Sequence, residues 1–137
     1  MATEKIKQPS EVSSGALAYL GDSVLELRVR RFLVRCGISH ASELNAAALD
    51  FVRASAQADA VENILDVLDE GEAAAFRRGR NIGHTNIPKS ATALQYRRAT
   101  GMEALFGYLD MLEKNERIDE LFALAYAETI KKYTEKE

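Results

Sequence analysis

Apolar residues recur at three- and four-residue steps along almost all of this 137-residue chain, and nowhere do they alternate at strand period between hairpin turns. That pattern predicts an all-α fold. The length suits one core, since a chain of this size buries roughly two-thirds of its unfolded surface without staples. Residues 1–12 read as a flexible N-terminal segment, 13–133 as the single folded domain and 134–137 as a polar, flexible tail. Ser10, Ser13 or Ser14 caps a first long helix that runs to about Cys36, with Leu17, Leu20, Val24, Leu27 and Arg31 on one face and Gly37 as its stop. A short helix over about 41–49 follows, opened by Ser39 or Ser42, and then a helix near 51–68. Gly71 interrupts, residues 72–81 form a helix that frays near Gly79, and 82–90, with Gly83, Asn86 and Pro88, form a loop. Ser90 or Thr92 opens a second long helix to about Lys114, and a last one spans about 116–133.

No charged-then-apolar leader and no membrane-length apolar run stands in the sequence, so the cytoplasm is the expected compartment and no membrane partner is expected. The lone Cys36 has no neighbours at metal-ligand spacing and reads as a buried thiol at a helix end. His40 and His84 fall in turn and loop segments. Gln57 reads as a solvated helix-surface side chain, and Tyr19, Tyr96 and Tyr108 as structural, packed in the core or between subunits.

The net charge of −3 excludes nonspecific coating of nucleic acid by overall positive charge, but the charge is segregated. From residue 77 to 98 stand Arg77, Arg78, Arg80, Lys89, Arg97 and Arg98 with no acid among them. Residues 62–72 hold Glu62, Asp66, Asp69, Glu70 and Glu72 with no Lys or Arg.

Both long helices break a rule of local consistency. The first carries Gly21 and Asp22 in mid-helix, where glycine costs about 1 kcal/mol against alanine and aspartate is a poor helix former. The second carries Glu103 between Gly101 and Gly107. Glycine lets helices approach closely, and a carboxylate at such a crossing must be neutralised or hydrogen-bonded. One solution is a divalent cation. Magnesium takes hard oxygen ligands, needs few carboxylates and leaves positions for water and phosphate, which suits phosphodiester hydrolysis. The alternative is plain packing at the glycines, with Asp22 or Glu103 paired to Arg28, Arg97 or Arg98.

The stretches "YLGDSVLE" (19–26) and "MEALFGYLDM" (102–111) resemble the signature helix and the later Glu-bearing helix of the ribonuclease III catalytic domain. More specifically, "ALAYLGDSVLELRVRRFL" (16–33), "RRGRN" (77–81), "PKSATALQYRRATGMEALFGYL" (88–109) and "ERIDEL" (116–121) resemble Mini-ribonuclease III, the short bacterial form without a double-stranded-RNA-binding domain. The resemblance runs in order over nearly the entire chain. It implies a ribonuclease III-like helical bundle and a homodimeric, magnesium-dependent endoribonuclease acting on double-stranded RNA, with precursor 23S ribosomal RNA as substrate and 5′-phosphate products. Asp22 and Glu103 are then the catalytic, metal-holding carboxylates. Arg77, Arg78, Arg80, Asn81, Lys89, Arg97 and Arg98 are then candidates to contact the RNA backbone. Full-length enzymes place four acids around the metal; here Ala18 stands one turn before Asp22 and Thr100 three residues before Glu103, as in the short form. Whether a ribosomal protein presents the substrate stays open.

A competing reading is a non-catalytic RNA-binding or scaffolding protein that keeps the fold, with Ala18 and Thr100 as its support. A helix-turn-helix DNA binder explains the arginines but not the paired acids.

Overall fold

The computed structural model describes residues 4–82, 89 and 91–135. Among them run seven α-helices: α1 (Ser14–Arg35), α2 (Ala41–Val52), α3 (Ala54–Glu62), α4 (Glu70–Arg80), α5 (Ala93–Met111), α6 (Asn115–Ala125) and α7 (Ala127–Thr134), with 3-10 turns at Pro9–Glu11 and Leu65–Val67. No strand occurs among the described residues, so the all-α expectation holds. The expected loop over 82–90 lies almost wholly outside them, as does His84.

Helix α5 is the hub. Thr92 opens it with a capping box, its hydroxyl accepting from the Gln95 N–H while the Gln95 side chain accepts from the Thr92 N–H. Nine of its residues between Ala99 and Leu109 are buried, so it is enclosed nearly all round, and α1, α3 and α4 pack against it. Phe51, Phe106, Leu105, Leu121 and Tyr126 sit at the centre of the core.

The face that α1 buries is rotated from the expected one. Leu17, Ala18, Gly21, Val24, Leu25, Val29 and Leu33 are buried, whereas Leu27 is half exposed and Leu20 only partly covered. The reason is the crossing with α5, which centres on Gly21 and so turns the flanking Leu17 and Leu25 inward. Of the three serines the sequence offers, Ser13 caps the helix, accepting from the Ala16 N–H at 3.1 Å.

Other boundaries moved for identifiable reasons. Helix α2 starts after His40, which gives no side-chain cap, and continues to Val52. The single helix expected near 51–68 is broken at Arg53, whose backbone is extended (φ −60°, ψ 146°), and closes in the 3-10 turn. Helix α4 takes in Gly71, because Asp69 and Glu72 form a capping box that starts it earlier. It does not fray at Gly79, which is buried: a Cβ there would lie 2.6 Å from both Ala104 Cβ and Thr100 O of α5. The expected last helix divides at Tyr126 (φ −106°, ψ 23°), where the chain leaves helical geometry and the Tyr126 hydroxyl donates to buried Phe51 O at 2.8 Å. Gln57 is buried, not solvated, and its amide donates to Val52 O at 3.2 Å. Cys36 is half-buried at the end of α1. Tyr108 packs against the core, but Tyr19 is 85% exposed.

Candidate functional site

At the α1–α5 crossing the two backbones touch. A Cβ on Gly21 would stand 1.6 Å from Glu103 O and 2.8 Å from Gly107 N, and one on Gly107 would stand 2.0 Å from Leu17 O. No side chain fits in that space, which is why both helices accept the propensity cost of glycine there. The contact fixes the helices next to the acids, so Asp22 on α1 and Glu103 on α5 arrive within hydrogen-bond reach of each other.

Asp22 is exposed and Glu103 is partly buried. Burial first, then the negative charge of Asp22 and the hydrogen bond with it, push the Glu103 carboxyl up to about 8. A carboxyl raised that far favours its protonated form near neutral pH. No salt bridge among the described residues reaches either one. The arginines that could have paired with them are elsewhere: Arg28 binds Asp119 at 3.1 Å, Arg98 pairs with Glu62, and Arg97 is exposed on α5. Two apposed carboxylates with no salt-bridge partner among the described residues fit a divalent metal ion, whose charge would replace the proton on Glu103. No third His, Cys, Asp or Glu joins them among the described residues. Ala18 and Thr100 occupy the neighbouring positions, both buried, with the Thr100 hydroxyl donating to Tyr96 O at 2.9 Å.

The basic residues divide into two groups. Arg80, Asn81 and Arg97 line one cleft of about 400 Å³ between α4 and α5, together with Ile82 and Leu94. Arg80 lies over the Phe76 ring, 5.8 Å from its centroid, and donates to Asn81 Oδ1 at 3.2 Å, so its guanidinium is held in place. Arg77 is exposed on α4, and Lys89 is exposed beyond it. The structure does not bring Arg78 and Arg98 into this cleft's lining. Arg78 is half-buried and donates to Pro9 O and Val12 O, tying down the stretch before α1, and Arg98 is ion-paired with Glu62.

The sequence pattern missed a second buried carboxylate. Glu72 is 2% exposed and is gripped by Arg117 through Nε at 2.8 Å and Nη2 at 2.8 Å, while Arg117 also reaches Val67 O and Glu120. Arg117 holds the Glu72 carboxyl below the usual carboxylate range despite its burial. The capping signal D-x-x-E at 69–72 points to the local bond of Glu72, but nothing local points to a partner 45 residues away.

The ribonuclease III domain pattern matches residues 15–111, the span that holds both acids. The chain is 44% identical over 110 residues to the Mini-ribonuclease 3 of Desulfitobacterium hafniense, covering 79% of this chain and 68% of that protein. It is 37% identical over 121 residues to the Mini-ribonuclease 3 of Symbiobacterium thermophilum, covering 88% and 93%. The crystal structure of protein FN1578 from Fusobacterium nucleatum is similar with a TM-score of 0.76 at 29% identity, over 83% of this chain and 87% of that one. With the same all-helical architecture and the Asp22–Glu103 pair inside the matched span, the chain belongs to the ribonuclease III family of endoribonucleases, among the Mini-ribonucleases 3.

Proposed function

We propose that this protein cuts double-stranded RNA as a homodimer, with magnesium held by Asp22 and Glu103, and that precursor 23S ribosomal RNA is its substrate. The observation that carries the chemistry is the pair itself: two carboxylates forced together by a glycine-to-glycine helix contact, with no salt bridge to either among the described residues. A bound divalent ion would stabilise charge on the phosphate as a Lewis acid and ease loss of the proton from the attacking water. Asp22 and Glu103 act as oxygen ligands and fix the position of the reacting phosphate. Glu103 gives up its proton when the site fills, because it must be ionised to serve.

Arg80, Asn81 and Arg97 form the wall on which an RNA backbone would lie, and Arg77 and Lys89 are exposed and so open to further phosphate contacts. Such contacts bind phosphate and 2′-hydroxyl without reading bases, as A-form RNA requires. Arg78 and Arg98 serve this surface indirectly, by fixing α4 and α5. Support for a second copy comes from Tyr19: a ring left 85% exposed on α1, one turn before Asp22, is unusual unless something covers it.

The test is incubation with a long RNA duplex at low salt, with magnesium or with chelator, for the wild type and Asp22→Asn. The wild type should cut only with magnesium. Asp22→Asn should lower the rate by a factor on the order of 10² to 10³, the usual cost of one group that stabilises developing charge, while still binding the duplex. Equal cutting by the variant would remove Asp22 from the mechanism. A wild type that binds several duplexes and cuts none would favour the non-catalytic RNA-binding reading.

A further inference from the structure

The cleft between α4 and α5 holds more than phosphate contacts require. Arg80, Asn81 and Arg97 line it together with Ile82 and Leu94, and Leu94 keeps 55% of its surface in solvent. Contacts to an RNA backbone are made by cations, amides, hydroxyls and peptide N–H groups, and two aliphatic side chains add nothing to them. The volume of about 400 Å³ is within the range of concave sites that take a small ligand.

The polar groups around the cleft are held in position. The Arg80 guanidinium lies 5.8 Å from the centroid of the Phe76 ring, and its Nε donates to Asn81 Oδ1 at 3.2 Å. That bond occupies the Asn81 oxygen and leaves the Nδ2 hydrogens to meet an acceptor from outside. Arg97 is exposed at the same cleft. It stands six residues before Glu103, about 9 Å along α5, so a nucleotide held here is a near neighbour of the one at the acids.

A paired duplex turns phosphate and ribose outward and keeps its bases stacked inside, so it can cover this cleft but not fill it. A base outside the stack is flat, apolar on its faces and polar along its edge. RNA-binding proteins take such bases by stacking them on guanidinium planes and hydrogen-bonding their edges.

We infer, on the strength of the reading above, that this cleft receives one unpaired base of the RNA. The protein then prefers a duplex interrupted by a single unpaired nucleotide to a perfect one, and cuts at a fixed distance from the interruption. Ile82 and Leu94 supply the apolar seat, Arg80 the flat cation and Asn81 the donor to the base edge.

The test uses three RNA duplexes of one sequence: perfect, with one unpaired adenosine, and with an abasic residue in its place. The abasic form bends as the second does but brings no base. Binding of the intact protein is read by anisotropy in the presence of chelator. The duplex with the unpaired adenosine should bind about tenfold more tightly than the other two, the scale of one stacked base. Leu94→Ser removes the apolar seat at an exposed position, and Arg80→Lys keeps the charge and loses the plane. Each variant, checked for folding by thermal melting, should bring the three duplexes together. With magnesium and the wild type, moving the adenosine along the duplex should move the cut with it.

Equal binding of the three by the wild type, an abasic duplex as tight as the adenosine one, or a cut that stays in place overturns the inference. Full preference kept by one folded variant overturns the part given to its side chain, and kept by both it overturns the assignment to this cleft. A wild type that binds none of the duplexes fails the RNA reading itself, and the inference with it.

Discussion

Glu72 and Glu103 are carboxylates on adjacent, packed helices, both covered to a large degree by folding, and the protein treats them in opposite ways. Glu72 sits at the start of α4 with every need met: its own helix cap, two bonds from Arg117 and a carboxyl held below its ordinary range. Glu103 sits in mid-helix on α5 with another acid as its neighbour and a carboxyl raised to about 8. This chain has arginines close in sequence to Asp22 and to Glu103, and it commits Arg28 to Asp119 and Arg98 to Glu62 instead. A junction built for stability is electrically complete without any ligand. On the proposed function the α1–α5 crossing is complete only when a cation arrives, and that asymmetry would separate a structural carboxylate from a reactive one.

The largest effect should come from the backbone contact that brings Asp22 and Glu103 together. Gly21→Ala places a methyl 1.6 Å from Glu103 O, where the obstacle is backbone and not the end of a flexible chain. The expected cost is about 4 kcal/mol or more, read as a collapse of the thermal midpoint with loss of cutting. A Gly21→Ala protein as stable as the wild type would mean that the helices do not meet so closely, and the apposition of Asp22 and Glu103 would lose its cause.

At the structural junction, Arg117→Met leaves Glu72 buried with no charge partner and should cost about 3 kcal/mol. Adding Glu72→Met should recover much of that loss, because two apolar side chains replace the pair. The wild-type pair also sets a pH dependence. A carboxyl with its folded pKa below the unfolded value of 4.5 contributes stability that is present above 4.5 and lost as the pH falls through the folded value. Acid titration of wild type against Glu72→Gln should show that loss only in the wild type. A Glu72–Arg117 pair whose removal costs nothing would erase the contrast from this side.

How much of this was legible beforehand follows the range of the interactions. The helices of α1 and α5, their Ser13 and Thr92 caps and the functional candidates Asp22 and Glu103 were all readable, because caps are local and a glycine beside an acid violates local propensity visibly. The buried face of α1 was misjudged, since Gly21 carries no hydrophobicity to mark it as the centre of a crossing. The breaks at Arg53 and Tyr126 were hidden because they serve tertiary packing, the second by bringing the Tyr126 hydroxyl to Phe51 O. Among the arginines, sequence shows only that they cluster. That Arg78 turns to the backbone of Pro9 and Val12 while Arg80 and Arg97 share a cleft depends on which side of α4 each one occupies.

The smallest of these effects probes Glu103 directly. Glu103 binds its proton more tightly folded than unfolded, so the stability tied to that proton is fully present below about 4.5 and is lost as the pH rises through about 8. Glu103→Gln keeps the shape and removes the charge. At pH 4 it should match the wild type, and at pH 8.5 it should exceed it by about 2 kcal/mol, a figure reduced for the solvent that still reaches the pair. Magnesium should then close part of the gap by stabilising the wild type at pH 8.5 and not the variant, since a ligand stabilises only the state that binds it. Thermal melts of both proteins at the two pH values, with and without magnesium, separate the cases. Parallel pH profiles would show that Glu103 is no more burdened than Glu72, and the two buried carboxylates would then differ in their partners but not in what those partners leave undone.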